Sequence, residues 1–296
     1  MTAISEQASV SAVWDQQSVW SQSANRLKTS VARGRATALV FGILAASLGT
    51  AASQTMAWNS VLGKSLAFAS AAAAGAAPLV AQRGSPSRLS DWTRLRAVSE
   101  ALKTEVYTYL AGVGPYRTAE SAGALLAERC RGFRSDSGDL VRHTTGVLAV
   151  TRSLPPVTDI DSYVEHRLRQ QITSYYRPKA EAMHRKVRMV ERAEFVLGCF
   201  GAMLAAISGA LSVEQVAAWV AVAASVSIAV TAHAVAQRYA YQQLEFTRTA
   251  DELERLLERW TTGSDRTPQS TDAFISECEN VISIQNEAWM IRWTVG

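Results

Sequence analysis

Residues 36–63 read ATALVFGILAASLGTAASQTMAWNSVLG, without one Asp, Glu, Lys or Arg. Lys64 interrupts, and Ser65–Gln82 (SLAFASAAAAGAAPLVAQ) is again uncharged. The pattern recurs far along the chain: Phe195–Val213 lacks those four residue types, Glu214 interrupts, and Gln215–Gln237 lacks them again. Each run approaches or exceeds the roughly 18–20 apolar residues that cross a hydrocarbon core of about 30 Å. A buried helix of a water-soluble domain more typically carries an apolar run of about 10–14 residues. Each pair is joined by a short connection, so each reads as a transmembrane helical hairpin. The first run starts too far into the chain, behind what reads as a folded amphipathic helix, for a signal peptide.

Working outward, the flanks are basic. Arg26, Lys28, Arg33 and Arg35 precede the first hairpin, and Arg83, Arg88, Arg94 and Arg96 follow it. Arg185, Lys186, Arg188 and Arg192 precede the second, and Arg238 follows it. The connecting turns carry only Lys64 and Glu214. Lysine and arginine stay on the cytoplasmic side, which predicts a multi-pass membrane protein with both termini cytoplasmic. The cations then account for the basic balance, net charge +4, as anchors at anionic lipid heads rather than as a nucleic-acid surface.

The polar segments repeat at helical spacing. Val10, Trp14, Gln17, Trp20, Ala24, Leu27 and Val31 make one face of a helix running into the first span, and Leu89, Trp92, Leu95, Val98, Leu102, Val106 and Tyr109 do so after the first hairpin. Further helices are predicted over Ala119–Phe133, over Leu140–Ser153 and from Thr158, with Asp161 as a capping acid. Val164, Leu168, Ile172, Tyr175, Met183, Val187 and Val190 mark a long helix in which Pro178 should kink the chain or open a second segment. Leu253, Leu256, Leu257 and Trp260 give one more helix, and Phe274, Cys278, Val281, Ile282, Gln285, Trp289 and Trp293 the last. Residues Met1–Ser9 and Thr261–Thr271 read as mobile. With no strand pattern, the predicted fold class is an all-α membrane protein: two tandem transmembrane hairpins, four transmembrane helices, and a cytoplasmic helical bundle. The predicted organisation is a first module over 1–113 with spans at about 36–57 and 65–82, a helical connector over 114–157, and a second module over 158–296 with spans at about 195–213 and 215–237.

The modules repeat. RAVSEALK (Arg96–Lys103) follows the first hairpin and RTADELER (Arg248–Arg255) the second, aligning Arg96 with Arg248 and Glu100 with Glu252. Each Arg and Glu stand at i and i+4, which suits a helix-surface pair or an inter-subunit contact below the membrane. Gln16–Trp20 likewise resembles Gln171–Tyr175. Both copies share one orientation, the pattern of a parallel repeat about an axis along the membrane normal.

Within the spans, Gly42, Ala46 and Thr50, and Gly201, Ala205 and Gly209, recur every four residues and permit close helix packing. Ser65–Gln82 is too rich in alanine to favour lipid strongly, and the last span carries Ser225, Ser227, Thr231 and His233. Ser65, Ser70, Ser225, Ser227, Thr231 and His233 are therefore the candidates for a water-facing wall, since small and hydroxyl side chains leave room for water and replace part of an ion's hydration shell. His233 stands near a span end, where an imidazole also reaches the interface.

Enzyme chemistry is not legible. There is no GxGxxG, P-loop, HExxH or CxxC, so no catalytic residue, cofactor or metal site is expected. Asp159 and Asp161 read as a helix start. Cys130 and Cys278 read as helix-face residues, Cys199 as intramembrane packing, and His143, His166 and His184 as surface residues.

The entering Trp/Tyr-bearing helix, the hairpin and the leaving R-x-x-[SD]-E-x-x-[KR] helix, with DSYVEHRLRQQITSYYRPKA (Asp161–Ala180) and ECENVISIQNEAW (Glu277–Trp289), resemble the SLATT superfamily of bacterial two-transmembrane domains associated with SMODS nucleotidyltransferases and SLOG sensor domains. The resemblance is to the tandem form with two SLATT domains and covers nearly the whole chain. It implies a homo-oligomeric pore or ion channel of the inner membrane acting as an effector in nucleotide signalling or antiviral defence, with a separate cytoplasmic sensor as partner. The competing expectation is a non-conducting membrane-anchored scaffold that binds a cytoplasmic partner.

Overall fold

The computed structural model describes the backbone of residues 2–119, 121–211 and 214–294, and the side chains of 6–119, 121–211 and 215–283. The expectations for Gln285, Trp289 and Trp293 concern side chains outside the described residues, as does that for the charge of Glu214, and Val213 lies outside them altogether. No strand occurs among the described residues. The long helices are α1 (Thr2–Thr55), α2 (Ser60–Ala81), α3 (Pro86–Leu110) and α4 (Ala122–Ser135). Two single turns follow, α5 (Val141–Thr144) and α6 (Ile160–Tyr163), and then α7 (Arg177–Leu211), α8 (Glu214–Gln237), α9 (Tyr239–Thr262) and α10 (Pro268–Thr294). Helix α1 starts at Thr2 and α10 at Pro268, so Thr2–Ser9 and part of Thr261–Thr271 are helical rather than irregular.

The chain forms two compact units that cut across the sequence modules. One comprises residues 1–28, 86–180 and 244–296; the other comprises 29–85 and 181–243. Helix α3 runs through the first unit, packed against α10 and α4. Its Leu95, Leu102 and Val106 are fully buried, as are Leu253 and Ala250 of α9, Leu168 and Ile275. Every member of the predicted α1 face from Val10 to Val31 is buried. Trp14 and Tyr163 both meet the Tyr107 ring edge-on, at 6.3 and 6.4 Å between centroids. Cys130 and Cys278 lie in this core, and burial pushes the Cys130 thiol up to about 12. It stays a thiol, packing as a small apolar group.

The second unit reverses the rule. Leu44, Phe68, Leu79, Phe195, Val196, Phe200, Met203, Leu211, Ile228 and Val235 all point outward, and Cys199 is exposed rather than packed. Of the buried hydrophobics among the described residues, this unit holds only Val31, Ala52, Met183 and Ala223. A surface so apolar suits hydrocarbon, where dispersion contacts with lipid replace burial.

Three local expectations change. A 3-10 turn ends at Leu140, and residues 141–153 form the single turn α5 and then, past Gly146 at φ +75, an irregular strap laid on α1. Val150 N–H donates to Ser18 Oγ (2.9 Å), Gln22 donates to the Leu148 carbonyl (3.0 Å), and Trp14 Nε1 donates to the Ser153 carbonyl (3.1 Å). Polar groups of α1 thus satisfy a chain that has no ladder of its own. The helix start near Thr158 is capped by Asp159, which accepts from Ser162 N–H in a reciprocal capping box, so Ser162 rather than Asp161 closes it. Finally, residues 164–169 and 171–176 are π-helical, and the α-helix resumes at Arg177, one residue before Pro178. Buried residues fall at Val164, Leu168, Ile172, Tyr176 and Ala180. With Tyr163 and Arg167 buried beside Val164 and Leu168, the buried stripe recurs about every four residues from 163 to 180, a period wider than the 3.6 of an α-helix. Tyr176 is therefore more deeply buried than Tyr175.

The π turns carry Arg167 into the core. Its Nε and Nη2 each donate at 2.8 Å to Glu279 on α10, which also accepts from Tyr163 OH (2.9 Å) and Thr104 Oγ1 (2.7 Å). The guanidinium lies 4.5 Å from the Tyr107 ring centroid, and its Nη1 has no partner among the described residues. Burial pushes the Glu279 carboxyl up, and the Arg167 charge and these donors more than offset it, holding it below the usual range. Lys103, half-buried beside this network, is lowered to about 8 by burial and by Arg167 and Arg96, against the opposing pull of Glu100 and Glu279.

Replacing Arg167 by Met leaves Glu279 charged and buried, which costs about 3–5 kcal/mol. The denaturation midpoint in detergent should fall sharply, and Arg167→Met combined with Glu279→Met should recover most of the loss. Lys103 makes a second prediction. Its folded pKa is below the unfolded one, so the unfolded chain binds more protons between about pH 8 and 10 and stability rises with pH there. Thermal melts should move up over that window in the natural protein and stay flat in Lys103→Met.

Candidate functional site

The second unit is built where helices cross closely. A Cβ on Gly34 would stand 2.7 Å from Arg83 Cβ and 3.1 Å from the Val80 carbonyl, and one on Gly63 would stand 2.9 Å from Met56 Cα. Only glycine lets α1 and α2 approach at both ends of their hairpin. Midway, Ser70 Oγ donates to the Ala45 carbonyl at 2.7 Å. In the second hairpin Gly201 faces Ala223 Cβ at 3.9 Å, the small-residue contact predicted for α7.

Helix α8 is bonded to both hairpins. Gln54 of α1 donates to the Gln215 carbonyl (2.7 Å) and accepts from Trp219 Nε1 (3.0 Å). Near the opposite end Arg35 donates to the Ala236 carbonyl (3.0 Å), just before Arg238 ends α8 at φ +52. A guanidinium there satisfies a terminal carbonyl and opposes the helix dipole. Between Arg35 and Gln54, α1 rises about 29 Å at 1.5 Å per residue, close to the roughly 30 Å of a hydrocarbon core. The two polar ties thus stand one membrane thickness apart. On the other side of α8, Thr231 donates to Glu194 of α7 at 2.5 Å.

The predicted wall residues fall in different settings. Ser65 is exposed, its hydroxyl bonded to the Val61 carbonyl of its own helix. Ser70 is engaged between α1 and α2. Ser225 is exposed at the midpoint of α8, Ser227 and His233 are half-buried, and Thr231 is exposed and tied to Glu194. Arg96 and Glu100 pair at 2.8 Å on α3, with Glu100 buried. Arg248 instead faces Glu245 at 3.8 Å, and Glu252 pairs with Arg255, so the repeated motif is an internal pair in one copy and a solvated face in the other. His143 is not a free surface residue but lies 2.9 Å from Asp91, which also accepts from Arg142. Among the described residues no group of His, Cys, Asp or Glu converges to hold a metal. Gln54, Trp219, Arg35 and Glu194 are structural partners that the pattern of the spans left unremarked. An amide inside an apolar run and a tryptophan near its end were the available signals.

Four helices long and apolar enough to cross a membrane, with an outward apolar surface, define a multi-pass membrane protein. Residues 163–289 match the family described as SMODS and SLOG-associating 2TM effector domain 1, and residues 18–123 match the family described as protein of unknown function DUF4231. The two matches together are consistent with a tandem SLATT form. No curated protein and no solved structure matches.

Replacing Gln54 by Leu removes both of its hydrogen bonds to α8 and leaves that of Arg35 in place. Intramembrane hydrogen bonds contribute about 0.6 kcal/mol on average and up to 1.7, so the detergent melting point should drop modestly, whereas Trp219→Phe should remove only one tie and cost less.

Proposed function

We propose that the protein is a homo-oligomeric pore or ion channel of the bacterial inner membrane, with both termini cytoplasmic, acting as an effector in nucleotide signalling or defence under a separate sensor. The observation that carries this reading is the exposure of Ser225 at mid-span on α8, without a hydrogen-bond partner among the described residues. Ser65 and Thr231 are exposed as well. Polar side chains at membrane depth face the bundle interior or water far more often than lipid, so these positions call for either neighbouring copies or an aqueous wall. Gly42 and Gly209 add support. A Cβ on either would meet nothing within 4 Å, which leaves the small-residue faces of α1 and α7 open to close approach by helices of other copies.

The non-conducting scaffold is the second reading. It is favoured by Leu148 and Val150, exposed on the strap of the first unit, as an apolar patch for a soluble partner.

Single-channel recording of the purified protein in planar bilayers should show discrete conductance, and Ser225→Cys should make it sensitive to a charged thiol reagent. Silence across voltages and salts, with Ser225→Cys, Ser227→Cys and Thr231→Cys all inert to the reagent, supports the scaffold instead.

A further inference from the structure

Three cations meet at one corner of the apolar unit, where α8 turns into α9. Arg35 of α1 reaches this corner through Nη1, which donates to the Ala236 carbonyl at 3.0 Å, while its Nη2 donates to the Gly84 carbonyl at 3.5 Å. Those acceptors are peptide carbonyls, which carry no net charge. Arg238, two residues past Ala236, holds φ +52 and is near enough to repel the Arg35 charge. From α7, Lys186 sets its ammonium 5.0 Å from the centroid of the Tyr239 ring. Residues 236–239 thus gather a cation from α1 and another from α7 around Arg238. Acids are directed elsewhere. None occurs from residue 29 to 85. On α7, Glu181 pairs with Arg185 and Glu194 accepts from Thr231, and Glu191, five residues past Lys186, falls on another face of the helix. Like charges held together repel unless an anion lies among them.

The place of the corner selects the anion. It stands where α8 leaves its apolar run, and the Arg35 tie is about one membrane thickness from the Gln54 tie. That is the level of lipid headgroups. Toward the membrane interior the outward face of α8 is apolar. Val235, one residue before Ala236, is 69% exposed, and Ile228, two turns deeper on the same face, is 70% exposed. Basic pockets between membrane helices bind anionic lipid heads, and cations at the end of an apolar stripe match an anionic head carried on acyl chains. A soluble phosphate would use the cations and leave the stripe bare.

We propose that this corner binds the phosphodiester of an anionic phospholipid, with Arg35, Arg238 and Lys186 around the phosphate and an acyl chain along Val235 and Ile228. The site does not depend on whether the protein conducts. It differs from a general attraction of basic flanks to the membrane surface, because it needs these three positions rather than the sum of the charges.

The test is native mass spectrometry of the full chain, purified in a nonionic detergent and titrated with dioleoyl phosphatidylglycerol or dioleoyl phosphatidylcholine. The first phosphatidylglycerol should bind more tightly than phosphatidylcholine, and inorganic phosphate in large excess should not displace it. Lys186→Gln and Arg238→Asn should each weaken that first binding by about tenfold, the loss of one charged hydrogen bond. Asparagine keeps the left-handed backbone that position 238 requires. Lys186 is exposed, so its variant keeps the fold and carries the test even where Arg238→Asn folds poorly. Arg188→Gln combined with Arg192→Gln removes two charges from exposed positions of the same helix and should leave the affinity unchanged. Equal affinity for the two lipids, undiminished affinity in Lys186→Gln, an equal loss in the Arg188 and Arg192 variant, or displacement by inorganic phosphate overturns the proposal.

Discussion

Hydrocarbon offers no hydrogen-bond partner to a peptide group, so a chain inside it must close every backbone bond within its own helices. That constraint organises the protein. It sets the lengths of α2 and α8, and it turns the burial rule over within single helices. The N-terminal part of α1 hides Trp14, Trp20 and Leu27, whereas its later turns show Val40 and Leu44 on the outside. Helix α7 does the same, with Met183 buried and Phe195, Phe200 and Met203 exposed. One helical backbone serves two solvents, and only the side-chain pattern changes between them.

In the first unit the reversal has a cost, because a core built on long charged helices draws ions inward. Arg167 and Glu279 answer one another with two hydrogen bonds, and Tyr163, one turn before Arg167, is a further donor to Glu279. Such a pair adds little net stability relative to an apolar core, but either partner alone is strongly destabilising. Its effect is to fix one registration of the π turns against α10.

The sequence was informative wherever burial follows a period. The α1 and α3 faces, the four spans and the all-helical class could be read from Trp14, Leu95 and the uncharged runs. The π turns were legible only in part. Val164, Leu168 and Ile172 step by four, but Tyr175 fits a 3.6 repeat as well as Tyr176 does, so an α reading was equally available. Residues 147–153 escaped because their hydrogen bonds come from side chains of α1, more than a hundred positions away, and no local pattern records such partners. The same holds for Gln54 against Trp219, a contact that depends on where helices meet rather than on what each contains.

The helices that close the two hairpins are held differently. Helix α8 takes Gln54 and Arg35 from the first copy and Glu194 from its own, so it joins the two hairpins inside the apolar unit. Its counterpart α2 has one hydrogen bond to another helix among the described residues, from Ser70 to α1. The rest of α2 presents alanine, glycine and the exposed Phe68 and Leu79. An alanine-rich span has little intrinsic preference for lipid, and small side chains are what let helices associate closely within it. Helix α8 is thus the joint between the two hairpins of the apolar unit, whereas α2 keeps a small-residue face with a single polar tie, so two similar hairpins have different neighbours.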